Sequence, residues 1–351
     1  MDDNPVLYGI FTSGSTGKPK GILKTHNAMH SFLETYIEEF EISCDEKIAS
    51  QTPFYFDASA KDIYLLFRLH CTMYIVPKEM FMMPLKLAEY MDKSGITMLQ
   101  WVPSALMMMS KLKIFEKGVP SAIRKVFFVG EVFPVEQLKI WMNYFPETEF
   151  VNLYGFSEIA GICAFYRVNR ETLEDKLPVG YALGNCRLHL MNEEQKLNHL
   201  GQKGELVVES EALAKVYLNA TDSRKDAFFE YNGKQYYRTG DLMEYDEKGA
   251  LYYVNRQDFQ VKHMGYRIEL GEIEEKVGQM SSVTQAVCTY TNGKIHLYYE
   301  GNIAVKELIG ELKKRLPSYM IPNRVRQVEA FPLNSNGKID RRRLQEWTTN
   351  K

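Results

Sequence analysis

Little in this chain commits it to a metal, a membrane or a nucleic acid. Its five cysteines, Cys44, Cys71, Cys163, Cys186 and Cys288, are odd in number and far apart. None shows the short spacings that hold zinc or exchange disulfides, so reduced thiols are expected. The formal net charge is −2, and so small an imbalance favours neither a phosphate backbone nor an anionic bilayer. The one compact basic run, residues 341–343, reads as the solvated start of a helix. The most apolar stretch, residues 101–109, falls well short of the roughly 20 residues that span a membrane. The first residues, Met1-Asp2-Asp3-Asn4, are acidic where a secretion signal would be basic, so a cytoplasmic location is expected. His26 and His30 stand one helical turn apart, but no third ligand is near and no H-E-x-x-H occurs; they read as helix residues rather than a metal pair. The methionine-rich stretches at 80–83 and 107–109 read as adaptable core. Neither an internal repeat nor a low-complexity tract is found.

What is present suits an ordinary enzyme. Of the 351 residues, 45% are hydrophobic and 25% charged, enough to bury a sizeable core in two or three domains. From Leu7 to about Met142 short apolar runs alternate with helical patterns. "LYGIF", "TMYIVP", "ITMLQW" and "KVFFVG" read as strands. Residues 24–40, "LKLAEYM", residues 103–113 and "PVEQLKIWM" read as helices. This alternation predicts an α/β fold with a mostly parallel sheet covered by helices. After Leu177 the texture changes to short strands with turns at Asn232-Gly233 and Lys248-Gly249. A final segment contains a hairpin, "CTYTNGKIHLYY", and an amphipathic helix from Ala304 to Leu316 ending before Pro317, as the residue before proline disfavours helix. A small C-terminal α+β domain is expected there.

"FTSGSTGKPKG", residues 11–21, is dense in glycine, hydroxyls and lysine. It is not a Walker loop: Pro19 follows Gly17-Lys18 where Ser or Thr is required, and no glycine stands at position 12. It follows a predicted strand and precedes a predicted helix. Its amides, its hydroxyls (Thr12, Ser13, Ser15, Thr16) and its ammonium groups (Lys18, Lys20) are what a polyphosphate needs. Composition alone also allows a mobile glycine–serine loop.

The order of motifs resembles that of the adenylate-forming enzyme superfamily. "TSGSTGKPKG" is similar to its phosphate loop, "NLYGFSE" (152–158) to its N-x-Y-G-x-T-E, and "YRTGDL" (237–242) matches intact. "NRQDFQVKHMGYRIELGEIE" (255–274) resembles the hinge and following loop, and "LPSYMIP" (316–322) and "NGKIDR" (336–341) complete the series. "FDAS" (56–59) and the C-terminal motifs are most similar to amino-acid adenylation domains and D-alanine:carrier-protein ligases. Phe156 replaces the family's proline, and Ser157 its threonine while keeping the hydroxyl. The large α/β subdomain that family members carry before the phosphate loop has no counterpart here. The expected fold is therefore an N-terminally truncated adenylate-forming one. Residues 1–257 would form a partial adenylation core with a β-rich part, and 258–351 a mobile C-terminal α+β domain. A face left open by the truncation would suit a partner subunit.

The resemblance implies attack of a carboxylate on the α-phosphorus of ATP, so the site must bring positive charge between two anions. Lys338 is implied to reach the carboxylate and α-phosphate; without the motif it is a loop lysine. Glu158 is implied to accompany Mg2+, to which an oxygen ligand is suited; it would also suit a helix first turn. With Ser157 these are the implied catalytic residues. The nucleotide would be held by Thr12, Ser13, Gly14, Ser15, Thr16, Gly17, Lys20, Gly130, Asn152, Tyr154, Gly155, Asp241 and Arg256. Tyr154 would stack on adenine and Asp241 would accept both ribose hydroxyls. Asp57 would pair with the α-ammonium of an amino acid; it also suits a helix N-cap. Ala58, Lys61, Gln100, Phe127, Val129, Leu153 and Ile162 would line the rest of the pocket. Lys61 could face a polar substrate group or solvent. Asp258 is implied as the hinge, and Gly265 as the residue beside a pantetheine arm. The implied function is adenylation of an amino acid by ATP with transfer to a carrier-protein thiol supplied in trans. An acyl- or aryl-acid:CoA ligase and a non-catalytic nucleotide- or partner-binding remnant are the alternatives.

Overall fold

The computed structural model describes residues 4–12, 20–192, 203–214, 217–218, 227–256, 260–332 and 339–349. The chain divides into two compact units. One comprises Met1–Phe11 and Gly21–Gln257, the other Thr12–Lys20 and Asp258–Lys351.

In the larger unit, apart from the strand ends Thr12 and Lys20, the order is β1 (Val6–Thr12), β2 (Lys20–Thr25), α1 (His26–Glu39), β3 (Lys47–Ser50), α2 (Asp57–Leu69), β4 (Thr72–Ile75) and α3 (Pro84–Ser94). It continues with β5 (Met98–Trp101), α4 (Pro103–Lys111), β6 (Lys125–Val129), α5 (Val135–Tyr144), β7 (Glu149–Tyr154), β8 (Ala164–Arg167) and β9 (Tyr181–Ala182). A β-rich part follows: β10 (Cys186–Met191), β11 (Lys203–Ser210), β12 (Tyr217–Leu218), β13 (Phe228–Tyr231), β14 (Lys234–Tyr245) and β15 (Leu251–Arg256).

Seven strands form one sheet in the order β4-β3-β5-β6-β7-β8-β9. Its first five are parallel, and β8 and β9 join antiparallel. Side chains alternate across this sheet, as a strand requires. Ile48, Met98, Phe127 and Val151 belong to a core shared with Phe32, Leu33 and Tyr36 of α1 and Leu65 of α2. Ala49, Leu99, Val126, Phe128 and Phe150 belong to a second core with Leu87 of α3, Leu106 of α4 and Trp141 of α5. Both faces are thus dry, which is why these strands read as unbroken apolar runs. Met109 is buried in the second core and Met80, Met107 and Met108 pack against it, whereas Met82 and Met83 are exposed and not core. The β-rich part pairs β10-β11-β14-β13, with β15 on β14. Asn232 and Gly233 adopt φ 51° and 72° between β13 and β14, the left-handed pair that a tight hairpin demands.

The helix after the phosphate loop begins later than its pattern suggests. Lys24 lies in β2, and α1 starts at His26, because the Thr25 hydroxyl accepts from Ala28 N at 3.2 Å and caps it. His26 and His30 are exposed on α1.

The smaller unit contains β16 (Gln260–His263), β17 (Tyr266–Glu269), α6 (Leu270–Gly278), β18 (Val283–Thr291), β19 (Lys294–Gly301), α7 (Val305–Arg315), β20 (Arg324–Gln327) and α8 (Arg341–Thr349). Ile273 and Val277 of α6 and Leu308 and Leu312 of α7 cover one core with Leu297 and Tyr299 of β19. The basic start of α8 is not simply solvated. Arg341 donates to Glu274 Oε1 at 2.7 Å and Oε2 at 2.9 Å, and to Cys288 O at 2.7 Å, a bidentate pairing that anchors the helix. Among the described residues no helix is long and apolar enough to cross a membrane.

Candidate active site

Three of the nucleotide residues implied by the motifs come together in the larger unit. Asp241 and Arg256 are direct partners in the β14–β15 register, so their side chains share a face. Arg256 Nη1 donates to Asp241 Oδ1 at 2.7 Å, and Nη2 to Thr239 O at 3.1 Å. The other carboxylate oxygen accepts the hydroxyl of Tyr154, which lies at the end of β7. Asp241 is only 3% exposed, yet both oxygens are partnered, as a buried carboxylate requires. Burial, and then the Asp241 charge, push the Tyr154 hydroxyl well above its ordinary pKa, so it remains a donor.

Gly155 follows. A Cβ built there would lie 2.5 Å from Gly161 O and 2.9 Å from Ile162 Cα, so this glycine is required by the close approach of the next loop. Glu158 is fully buried, and its backbone carbonyl accepts from Ala214 N at 2.8 Å. Ser157 is half-buried beside it. Gly130 takes φ 99°, a conformation other residues resist. Thr12 ends β1 half-buried and Lys20 begins β2 buried. Asn152 is turned elsewhere: its amide donates to Pro178 O at 2.7 Å.

Asp57 is the first residue of α2, whose cap position is Phe56 without a side-chain cap bond. Its carboxylate does not cap the helix. Instead Oδ1 accepts from the Tyr8 hydroxyl at 2.8 Å, and Oδ2 lies 4.0 Å from Lys24 Nζ. Burial raises the Asp57 pKa, against the pull of Lys24 and the Tyr8 hydrogen bond. Burial lowers that of Lys24, against the negative charges of Asp57 and Glu158. Neither Tyr8 nor Lys24 was identified in the sequence. The one available signal was a lysine directly after the apolar pair Ile22-Leu23 that follows the phosphate loop.

One turn along α2 from Ala58, Lys61 is buried rather than facing solvent. Its Nζ donates to Asp62 Oδ1 at 2.7 Å and to Gln100 Oε1, which also accepts the Tyr36 hydroxyl at 2.8 Å. Its charge is therefore balanced within the protein. Phe127, Leu153 and Ile162 are buried in the same core, with Val129 packed against it.

Gly265, with φ 81°, and Met264, with φ 52°, form the turn between β16 and β17. Ser13, Gly14, Ser15, Thr16, Gly17, Asp258 and Lys338 lie outside the described residues.

A parallel sheet covered on both faces, a β-rich part carrying Asp241 and Arg256, and a small α+β unit define an adenylate-forming fold. The family profile described as AMP-binding enzyme matches residues 1–218. A D-alanine–D-alanyl carrier protein ligase of Bacillus cytotoxicus is 34% identical over 364 residues, 99% of this chain and 72% of the relative. The Vibrio cholerae adenylation domain AlmE, solved with glycyl-adenosine-5'-phosphate, superposes with a TM-score of 0.89 at 24% identity, covering all of this chain and 68% of that one. The o-succinylbenzoate CoA synthetase of Bacillus subtilis superposes with a TM-score of 0.84 at 21% identity, over 99% of this chain and 70% of that one, and shares the fold. The chain belongs to the AMP-binding enzyme family.

Proposed function

We propose that the protein activates the carboxylate of an amino acid with ATP and passes the aminoacyl group to the phosphopantetheine thiol of a carrier protein. The observation that carries this reading is Asp57. A carboxylate that is 15% exposed and held by a tyrosine hydroxyl selects for a cationic α-amino group. A plain acid would bring no cation to Oδ2, which among the described residues has no hydrogen bond of its own and only Lys24 at 4.0 Å, and this disfavours the CoA-ligase alternative. The likeness to ligases that act on D-alanine supports the same choice.

In the first step a carboxylate oxygen bonds to the α-phosphorus of ATP while the bond to the bridging oxygen breaks, and pyrophosphate leaves. Asp241 would hold the ribose hydroxyls, with Arg256 fixing its orientation through the 2.7 Å bond. Tyr154 would stack its ring on the adenine. Mg2+ would neutralise phosphate charge when bound. Among the described residues no group of three or more His, Cys, Asp or Glu could hold a metal. The buried carboxylate of Glu158 would hold Mg2+ together with phosphate oxygens. Lys338 is the proposed cation for the carboxylate and α-phosphate. In the second step a thiolate attacks the acyl carbon and AMP leaves; movement of residues 258–351 about Asp258, with Gly265 beside the pantetheine arm, is proposed to accompany it.

ATP–pyrophosphate exchange across amino acids and their amine-free analogues tests the reading. Exchange confined to amino acids is expected. Exchange only with amine-free acids would replace it with the CoA-ligase reading, and ATP binding without any exchange would make the chain a nucleotide-binding remnant.

A further inference from the structure

Lys24 is the buried charge that the adenylation chemistry leaves unused. Its side chain is fully buried in β2, and its Nζ makes no hydrogen bond among the described residues. Its recorded ion-pair contact is Asp57 Oδ2 at 4.0 Å, beyond hydrogen-bond reach. A buried ammonium with three donors and no acceptor is costly, and such groups are ordinarily paired. Lys61, on the neighbouring α2, shows the ordinary solution, with Asp62 and Gln100 as its acceptors. Among the described residues none takes this part at Lys24, which has only the charges of Asp57 and Glu158 nearby, so its ammonium is open to an acceptor on a ligand.

Its position says which part of the ligand. In an amino acid the ammonium and the carboxylate are separated by one carbon. When the ammonium pairs with Asp57, the acceptor brought to a cation 4.0 Å from that carboxylate is the amino acid's own carboxylate. We propose that Lys24 is a second recognition residue: its ammonium donates to the carboxylate to be adenylated, while Asp57 takes the α-ammonium of the same molecule. This rests on the amino-acid reading above. Tyr8 then has a defined task. By occupying Asp57 Oδ1 at 2.8 Å it turns Oδ2 towards Lys24 and the substrate. Burial drives Asp57 and Lys24 towards their neutral forms. A zwitterion supplies the opposite charge to each and reverses both tendencies, so the pair favours molecules carrying both charges over those carrying one.

The test compares wild type, Lys24→Met and Asp57→Asn in ATP–pyrophosphate exchange with D-alanine, using D-alaninol, which keeps the ammonium and lacks the carboxylate, as a competitive inhibitor. Should the wild type exchange a different amino acid, that acid and its alcohol take their places. Loss of a hydrogen bond to a charged group is expected to raise KM for the amino acid roughly 10- to 100-fold in Lys24→Met. KM for ATP and the inhibition constant of the alcohol stay unchanged. In Asp57→Asn both the amino-acid KM and the inhibition constant rise. Met keeps the apolar stem and removes an unpaired buried charge, so an unaltered or raised melting temperature shows that the variant folds. An unchanged amino-acid KM overturns the proposal. So does an inhibition constant that rises in step with KM, because Lys24 would then act only through Asp57. A wild type that exchanges no amino acid overturns the amino-acid reading itself, and this inference with it.

Discussion

Replacing Asp241 with asparagine removes one negative charge from a site that is nearly dry. Asp241 is 3% exposed and its carboxylate joins Arg256 at 2.7 Å to the hydroxyl of Tyr154. Removing one partner of a buried ion pair costs about 3–5 kcal/mol, because the other charge is stranded. Here the loss is smaller. The amide keeps one acceptor oxygen, and Arg256 retains Thr239 O at 3.1 Å. A destabilisation of about 2–3 kcal/mol is the expected result, read as a lower urea midpoint at unchanged slope. Combining the change with Tyr154→Phe should cost about 1 kcal/mol less than the two singles summed, since both remove the same bond. The exposed pair Arg68–Glu34, with side chains 51% and 43% exposed, is the control; Arg68→Ala should not move the midpoint measurably. If Asp241→Asn shifts the midpoint no more than the control does, the carboxylate is not the centre of a preformed network and the nucleotide site assigned around it is wrong.

Gly155→Ala should destabilise by about 1–3 kcal/mol or prevent folding, since its Cβ would meet Gly161 O at 2.5 Å; a variant as stable as wild type would show that the loop yields freely. In the smaller unit, burial raises the pKa of Glu272 to about 7, with Glu269 and Glu275 adding to the effect and Lys276 opposing it. Its folded form holds a proton that the unfolded chain has already lost, so stability falls as pH rises from the ordinary value of 4.5 towards 7. After allowance for solvent screening the loss is about 1 kcal/mol. Glu272→Gln should flatten that pH dependence, and an identical fall in urea midpoint between pH 5 and pH 8 would count against it.

The layered sheet was legible because strands dry on both faces must be apolar throughout, as in "KVFFVG" and "ITMLQW". The hairpin at Asn292-Gly293 was legible from its turn residues, which adopt φ 53° and 71°. The start of α1 was misplaced because Lys24 is a good helix former by itself; Thr25, the residue that caps the helix, decides the boundary. β3 escaped notice, as four residues carry too little pattern. Residues tied to local motifs could be named from the sequence, among them Tyr154, Asp241 and Arg256, which the fold brings into contact, and Asp57. Those defined by distant pairing could not. Tyr8 meets Asp57 across 49 positions, and nothing local marks such a partner; Gln100 and Lys61 were both expected in the pocket, but not their contact across 39 positions. The same holds for Arg341, whose acceptors Glu274 and Cys288 lie 67 and 53 positions away.

The central claim is that ATP is split at the α-phosphorus to activate an amino acid. Mass spectrometry of the species bound after incubation with ATP, Mg2+ and a panel of amino acids measures this most directly. An aminoacyl-adenylate with pyrophosphate in solution is the expected result. Release of ADP and phosphate, or an adenylate formed only with acids that lack an α-amino group, would contradict it.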